Sequence, residues 1–203
     1  MANFLITDAN TSTVGSTSDD LFVINTAAGL GATVQGLAGD DTFTAATSAD
    51  LVNFKLQAGA GDDSLTLSTA SYQLASIYGG AGNDLISAHS ASARNTTIQG
   101  GGGNDTIILT AGTITSSLIG LNAGDDYLEI TGGASANFSS TDVNMGGGAD
   151  TITLDSASFS TGTINLGGGA DYFTANAFSG EAVTINLDVL GSSNYGNDTI
   201  NIG

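Results

Sequence analysis

The stretch GGAGNDLIS at residues 79–87 decides the fold, because its glycine-rich half predicts a tight turn and its last residues predict a strand. A stretch of the same form, GGGGNDTII, follows at residues 100–108. The pattern recurs along the chain, with its aspartate at Asp20, Asp41, Asp63, Asp84, Asp105, Asp126, Asp150, Asp171 and Asp198. Most spacings are 21 or 22 residues, the length of one solenoid coil, and longer ones indicate insertions within residues 131–143 and 188–195.

Apolar columns give each coil its strands. The residues two and four positions after every repeat aspartate are apolar, as Ile86 and Ala88 are after Asp84. The residues between them are mostly polar, so one face of a short strand is buried. A third apolar column lies seven residues before the aspartate, at Ile77 and its equivalents. We therefore predict one all-β domain over residues 1–203, a right-handed parallel β-solenoid of the β-roll kind with about nine coils and one glycine/aspartate edge.

The composition excludes several classes of protein. The 203 residues include 20 acidic and only two basic side chains, and a net charge of −18 rules out binding to nucleic acid phosphates. The chain has no cysteine, so it is neither a disulfide scaffold nor a zinc finger. No apolar run approaches the ~18 residues of a membrane span. The single histidine, His89, has Asp84 and Ser90 nearby in sequence, but this spacing does not give a catalytic triad, and we expect no enzymatic activity.

The acidic residues are concentrated in the predicted turns. Coils stacked ~4.8 Å apart place the repeat aspartates in a column, where each neighbouring pair repels by about 1 kcal/mol in water and by more at lower dielectric. Calcium is a hard dication that takes oxygen ligands, and it would remove this repulsion. We therefore predict that calcium is required for folding. Asp40, Asp62 and Asp125 lie one position before the repeat aspartate, where other repeats have Asn or Ala. We expect these three carboxylates to be solvated or to be outer-shell ligands of the ion.

The turns resemble those of the RTX family, the glycine-rich calcium-binding nonapeptide repeats of secreted bacterial proteins. The two stretches quoted above match its G-G-x-G-x-D-x-U-x pattern at every specified position, and five further turns keep the fourth-position glycine and the sixth-position aspartate. The resemblance implies several Ca²⁺ ions in a ladder between stacked turns, held by backbone carbonyls and the sixth-position aspartate. The metal-binding residues it implies are the nine repeat aspartates together with Gly36, Gly79, Gly80, Gly82, Gly100, Gly101 and Gly103. The usual RTX roll has such turns on both edges, whereas this chain has them on one.

The same resemblance implies type I secretion and an extracellular or cell-surface location. We see no capping helix or charged cap in the sequence, and both the first and the last segments are strand-like. Bare ends favour head-to-tail association, so we expect a structural protein that assembles with itself into an extracellular filament, matrix or surface layer. An alternative is a calcium-dependent adhesion or ligand-binding module that contacts a cell-surface glycan. A third is a calcium-binding carrier segment for a partner enzyme.

Overall fold

The computed structural model describes residues 1–7, 11–25, 29–45, 50–132, 137–155, 158–176, 179–180, 182–188 and 196–203, and every regular element in this part of the chain is a β-strand. The strands form a parallel solenoid of about eight turns with a spacing of about 21 residues. The predicted fold class is confirmed. The prediction of nine coils is slightly too high, because nine repeat aspartates delimit eight complete turns. Most of the insertion predicted at residues 188–195 lies outside the described residues.

The strands are short at both ends of the chain and longer in its middle. In chain order they are β1 (Asn3–Ile6), β2 (Ser12–Val14), β3 (Leu21–Ile24), β4 (Gly29–Leu30), β5 (Thr33–Ala38), β6 (Thr42–Ala45), β7 (Asp50–Val52), β8 (Lys55–Ala60), β9 (Ser64–Gln73), β10 (Ser76–Ala81), β11 (Leu85–Arg94), β12 (Thr97–Gly102), β13 (Thr106–Thr115), β14 (Leu118–Ala123), β15 (Tyr127–Thr131), β16 (Asn137–Gly147), β17 (Thr151–Asp155), β18 (Ser158–Gly168), β19 (Tyr172–Asn176), β20 (Ser179–Gly180), β21 (Val183–Asp188) and β22 (Thr199–Ile202). No described segment is a helix that could cross a membrane.

The strands are arranged in three parallel ladders, and each coil contributes to them in turn. The first ladder follows the repeat aspartates and runs through β1, β3, β6, β9, β11, β13, β15, β17, β19 and β22. The second precedes the turns and runs through β2, β5, β8, β10, β12, β14, β16, β18 and β21. The third is the return segment, formed by β4, β7, β20 and the outer parts of the long strands.

The register between coils aligns the apolar columns that the sequence predicts. Ile86 of β11 lies beside Leu65 of β9 on one side and Ile107 of β13 on the other, and all three are fully buried. At the N-terminal end the column is aromatic, with the rings of Phe22 and Phe43 stacked at 4.5 Å. A slip of one residue would turn a whole column toward solvent, and each buried side chain of this size stabilises the fold by about 1.5–3 kcal/mol. The core therefore fixes the register.

In five successive coils a second corner has left-handed backbone without glycine. Asn53, Leu74, Asn95, Ser116 and Ser140 have φ values of 51°, 54°, 50°, 52° and 52° just before strands of the second ladder or, for Ser140, within β16. Asparagine adopts this conformation more readily than most residues. The leucine and the two serines are held in it by the repeated structure of the stacked coils around them. The sequence analysis did not predict this corner, because its residues share a backbone conformation and no common side chain.

Candidate metal centre

The glycine/aspartate turns stack on one edge and are numbered here so that the repeat aspartate is position six. Gly80 and Gly82, at positions two and four, have φ values of 131° and 130°. A Cβ atom at Gly82 would overlap the carbonyl oxygen of Gly61 in the preceding coil. The two glycines are therefore required both by the left-handed backbone and by the close approach of a carbonyl oxygen. Among the predicted site residues, Gly101 and Gly103 repeat this geometry one coil later.

The position-six carboxylates form a ladder with the backbone. The N–H of Asp63 donates to Asp84 Oδ1 at 2.8 Å, and the N–H of Asp84 donates to Asp105 Oδ1 at 2.9 Å. The same bond is made at each of the eight steps from Asp20 to Asp198, at 2.7–3.1 Å. One oxygen of each later carboxylate is thus used by the protein itself, which the sequence analysis did not predict.

The second oxygen of most of these carboxylates is buried without a hydrogen-bond donor. This holds for Oδ2 of Asp41, Asp63, Asp84, Asp105, Asp126 and Asp150. Oδ2 of Asp84 faces the position-one glycine of its own turn, Gly79. A Cβ atom at Gly79 would overlap Asp84 Oδ2 and would lie 2.7 Å from the carbonyl oxygen of Gly100 in the next coil. A carboxylate oxygen and a carbonyl oxygen therefore converge inside the turn.

Burial makes the ionised form of these carboxyl groups unfavourable. Desolvation raises the pKa of Asp63, Asp105 and Asp150 to about 7 and that of Asp41 and Asp84 to about 6. The backbone N–H bond opposes this shift in each case, while neighbouring carboxylates add to it. At neutral pH the column is costly unless a positive charge compensates it.

The donor set fits calcium. Buried carboxylate oxygens without a donor, together with carbonyl oxygens directed into the turn, are hard ligands of the kind that Ca²⁺ takes in sets of six to eight. Among the described residues no three His, Cys, Asp or Glu side chains cluster, so an ion bound here would need backbone carbonyls as well as carboxylates for its coordination. Position-six carboxylates and turn carbonyls such as that of Gly100 would hold the ion, which would neutralise the column.

The two ends of the ladder differ from its middle. Asp20 Oδ1 accepts a bond from the N–H of Ala2 at 2.7 Å, and its Oδ2 accepts from the N–H of Ser16 at 2.7 Å and from the Ser16 hydroxyl at 2.9 Å. These bonds, first that from Ala2, lower the pKa of Asp20. Asp198 is half-buried, and its Oδ1 accepts the N–H of Asp171 at 3.1 Å. The protein itself therefore satisfies the Asp20 carboxylate more completely than those from Asp41 to Asp150, whose Oδ2 atoms have no donor.

The position-five residues are exposed, yet they are not merely solvated. Asp40 Oδ1 accepts the N–H of Asp62 at 3.0 Å, and Asp125 Oδ1 accepts the N–H of Ala149 at 2.8 Å. Asn104 makes the same bond to the N–H of Asp125 at 2.9 Å. This ladder runs in the opposite direction to that of position six, since each side chain bonds the following coil. An amide serves as well as a carboxylate, which explains why both Asp and Asn occur at this position.

His89 and Asp84 are engaged separately. His89 Nε2 lies 3.0 Å from the hydroxyl of Ser87 on the exposed face of β11. Asp84 is buried in the turn ladder. His89 thus belongs to an exposed polar pair, and Asp84 belongs to the buried column of turn carboxylates.

Comparison with known proteins agrees with the turn geometry. The model of the RTX calcium-binding nonapeptide repeat (4 copies) matches residues 29–54, 76–91 and 90–113, which include the turns of Asp41, Asp84 and Asp105. No curated protein and no solved structure matches the chain. RTX repeats are typical of secreted, calcium-binding proteins. Residues 29–54 and 76–113 therefore match RTX calcium-binding repeats, and the coils stack as a parallel β-solenoid consistent with a β-roll.

Proposed function

We propose that the protein is a secreted, calcium-dependent structural subunit whose copies stack end to end in an extracellular filament, matrix or surface layer. One observation carries this proposal: the apolar columns of the core continue to the C-terminal strand and are exposed there. Ile200 and Ile202 of β22 are 42% and 54% exposed, whereas Phe173 and Ala175, their neighbours one coil inward, are fully buried. β22 thus exposes members of the apolar columns that the coils before it bury.

The other end offers a matching edge. β1 pairs with β3 in parallel register, and Phe4 stacks on Phe22 at 4.7 Å. A β1 strand of a second copy, placed on β22, would continue the first ladder in the same direction and cover Ile200 and Ile202. Such a contact joins two different surfaces and does not close on itself, so it propagates as a filament.

Calcium would control this association through charge. The chain carries −18, and long-range repulsion between copies opposes stacking until cations reduce it. Ala2 occupies the position-six place of the outermost N-terminal coil, because its carbonyl accepts the N–H of Leu21 as that of Asp20 accepts the N–H of Thr42. The junction would therefore bring one carboxylate fewer into contact than the interior of the solenoid. Export by type I secretion, before calcium is met, is part of the same proposal.

Electron microscopy of the purified 203-residue chain tests the proposal. We expect filaments or sheets in millimolar-range calcium and none in chelator. Ile200→Asp places a charge in the exposed apolar column and should abolish assembly, while Thr199→Asp adds the same charge to the outward side of the same strand and should preserve it. Discrete short rods of the unmodified chain at all protein and calcium concentrations would reject the proposal.

A ligand-binding module remains the second candidate, and a surface hollow favours it. The hollow has a volume of about 440 Å³ and is lined by Ser68, Thr69, His89, Ser90 and Thr110. These short hydrogen-bonding side chains suit the hydroxyl groups of a glycan. Glycan-array binding that His89→Ala abolishes, by a chain that stays monomeric in calcium, would favour this function over assembly.

A further inference from the structure

The outward side of the first ladder carries a large side chain at every second coil. The first residues of β11, β15 and β19 are Leu85, Tyr127 and Tyr172, and the strand register places them in one column. Thr106 and Thr151, which begin the intervening strands, alternate with them. Since one coil adds ~4.8 Å, neighbouring large side chains stand about 9.6 Å apart along the axis. We call these five residues the tyrosine column.

The core does not require the large side chains of this column. Leu85 and Tyr172 are 40% and 43% exposed, and Tyr127 is half-buried. Nearer the N-terminus, Thr42 and Ser64 occupy the same column, so a small hydroxyl residue serves the fold at this position. Exposed tyrosine rings that are aligned with one another are typical of binding surfaces, because a ring offers an apolar face and a polar tip.

The ring of Tyr127 is held close to the sheet. Its phenol donates to Glu129 Oε2 at 3.1 Å, two residues further along β15. The hydroxyl of Thr153, which lies beside Glu129 in the next coil, also hydrogen-bonds the phenol. A threonine side chain is short, so a phenol that reaches it leans along the strand near the sheet surface. The ring is therefore oriented before any ligand arrives, with one face toward solvent.

The surface around the tyrosine column is nearly uncharged. The outward positions one and three residues after the repeat aspartates contain no lysine or arginine and a single acid, Glu129. That carboxylate already accepts the Tyr127 phenol, and a chain of charge −18 repels anionic polymers. Threonine hydroxyls alternate with the large side chains along the column. An uncharged ligand with apolar faces and hydroxyl groups complements this surface.

We propose that the tyrosine column binds an extended, uncharged, β-linked polysaccharide, with one pyranose ring stacked on Tyr127 and another on Tyr172. Successive units of a flat β-linked chain are turned over, so the same sugar face recurs at every second unit. Two such units are close in length to two coils, so a chain that runs along the solenoid axis brings matching faces to both rings. Its hydroxyl groups reach the hydroxyl of Thr151 between them. This surface adds a ligand to the proposed structural subunit and does not depend on end-to-end assembly.

Isothermal titration calorimetry of the full chain in calcium tests the inference with two sugars. Cellohexaose is flat and β-linked, whereas maltohexaose joins the same glucose units in a coiled, α-linked chain. We expect cellohexaose to bind and maltohexaose to bind at least about tenfold more weakly. Tyr127→Ala and Tyr172→Ala should each weaken the binding of cellohexaose by about fivefold to tenfold. Tyr172→Phe keeps the ring and should keep the affinity within about twofold.

Tyr78→Ala is the matched control. Tyr78 is also half-buried, but it lies in β10 of the second ladder, away from the tyrosine column. We expect this variant to bind cellohexaose as the unmodified chain does, and circular dichroism in calcium verifies that each variant is folded. Leu85→Tyr adds a third ring at the same spacing and should strengthen binding several-fold.

The outcomes separate this surface from the other proposals. No binding of cellohexaose, equal binding of the two sugars, or equal affinities of Tyr127→Ala, Tyr172→Ala and Tyr78→Ala would overturn the inference. Binding that only His89→Ala abolishes would assign the sugar to the hollow instead and would overturn it as well. Sedimentation of sugar-free samples measures assembly separately. A chain that stacks but does not bind cellohexaose would keep the proposed function, and a chain that binds without stacking would keep the inference.

Discussion

Replacement of Asp105 by asparagine should have opposite effects without and with calcium. Oδ1 of Asp105 accepts the N–H of Asp84 at 2.9 Å, and an amide oxygen would keep that bond. Oδ2 is buried without a donor, and desolvation raises the pKa of the carboxyl group to about 7. A neutral amide removes the cost of the charge from the metal-free fold, but it also removes a calcium ligand.

The size of the effect follows from the pKa. A rise from 3.8 to about 7 is roughly three units, or about 4 kcal/mol at 1.36 kcal/mol per unit. Solvent near the rim of the solenoid screens part of this, so we expect Asp105→Asn to raise the free energy of unfolding of the metal-free protein by about 1–2 kcal/mol at pH 8. In saturating calcium we expect a loss of about 1.4 kcal/mol, equivalent to tenfold weaker binding at one site.

Circular dichroism at pH 8 measures both values. Urea unfolding gives the value in calcium, and refolding with the osmolyte trimethylamine N-oxide gives the value in chelator, where the unmodified chain is otherwise unfolded. Asp125→Asn is the matched control, because it removes the same charge from an exposed position where the neighbouring coil already has Asn104. We expect the control to change stability by less than about 0.5 kcal/mol in either condition. The reasoning is refuted if Asp105→Asn destabilises the metal-free protein or cannot be distinguished from Asp125→Asn.

Two further predictions follow from the same column and its turns. In chelator, where the fold is lost at pH 8, the β-rich circular dichroism spectrum should return as the pH falls toward 5. The folded-state pKa values of Asp63 and Asp105, about 7, lie above the ordinary 3.8, so protons bind the folded state more tightly and this stability is lost as the pH rises through 7. A spectrum that stays unfolded throughout this pH range would contradict the prediction. Gly82→Ala should cost about 3 kcal/mol or more in calcium, because its Cβ would overlap the Gly61 carbonyl at a φ of 130°. Gly102→Ala, which meets nothing within 4 Å, should change stability by less than about 0.5 kcal/mol in the same denaturation assay, and equal effects of the two would count against the stacking geometry.

The sequence predicted the solenoid because stacked coils repeat the same environment at every turn. A column such as Leu65, Ile86 and Ile107 is visible as a period of 21 residues, and the structure places its members side by side. The left-handed corner at Asn53 and Leu74 was missed, since the residues there share a dihedral angle and not a side-chain type.

The position-six aspartates were predicted as site residues, but their hydrogen bonds to the backbone of the preceding coil were not. Each of them after Asp20 accepts a backbone N–H from the preceding coil, and sequence spacing carries no information on which oxygen does so. In the sequence, the residue at position one of each turn shows only whether that turn matches the repeat pattern. Its physical meaning depends on the direction of the Asp84 and Asp105 carboxylates toward Gly79 and Gly100, which only the three-dimensional structure shows.

The central claim is that buried, stacked carboxylates are tolerated at neutral pH only when hard dications lie among them. Far-UV circular dichroism of dilute protein at pH 8, recorded in calcium and again after chelation, tests it most directly. We predict a β-rich spectrum in calcium that is lost on chelation and recovered when calcium is restored. A β-rich spectrum that stays unchanged through the chelation step would contradict the account.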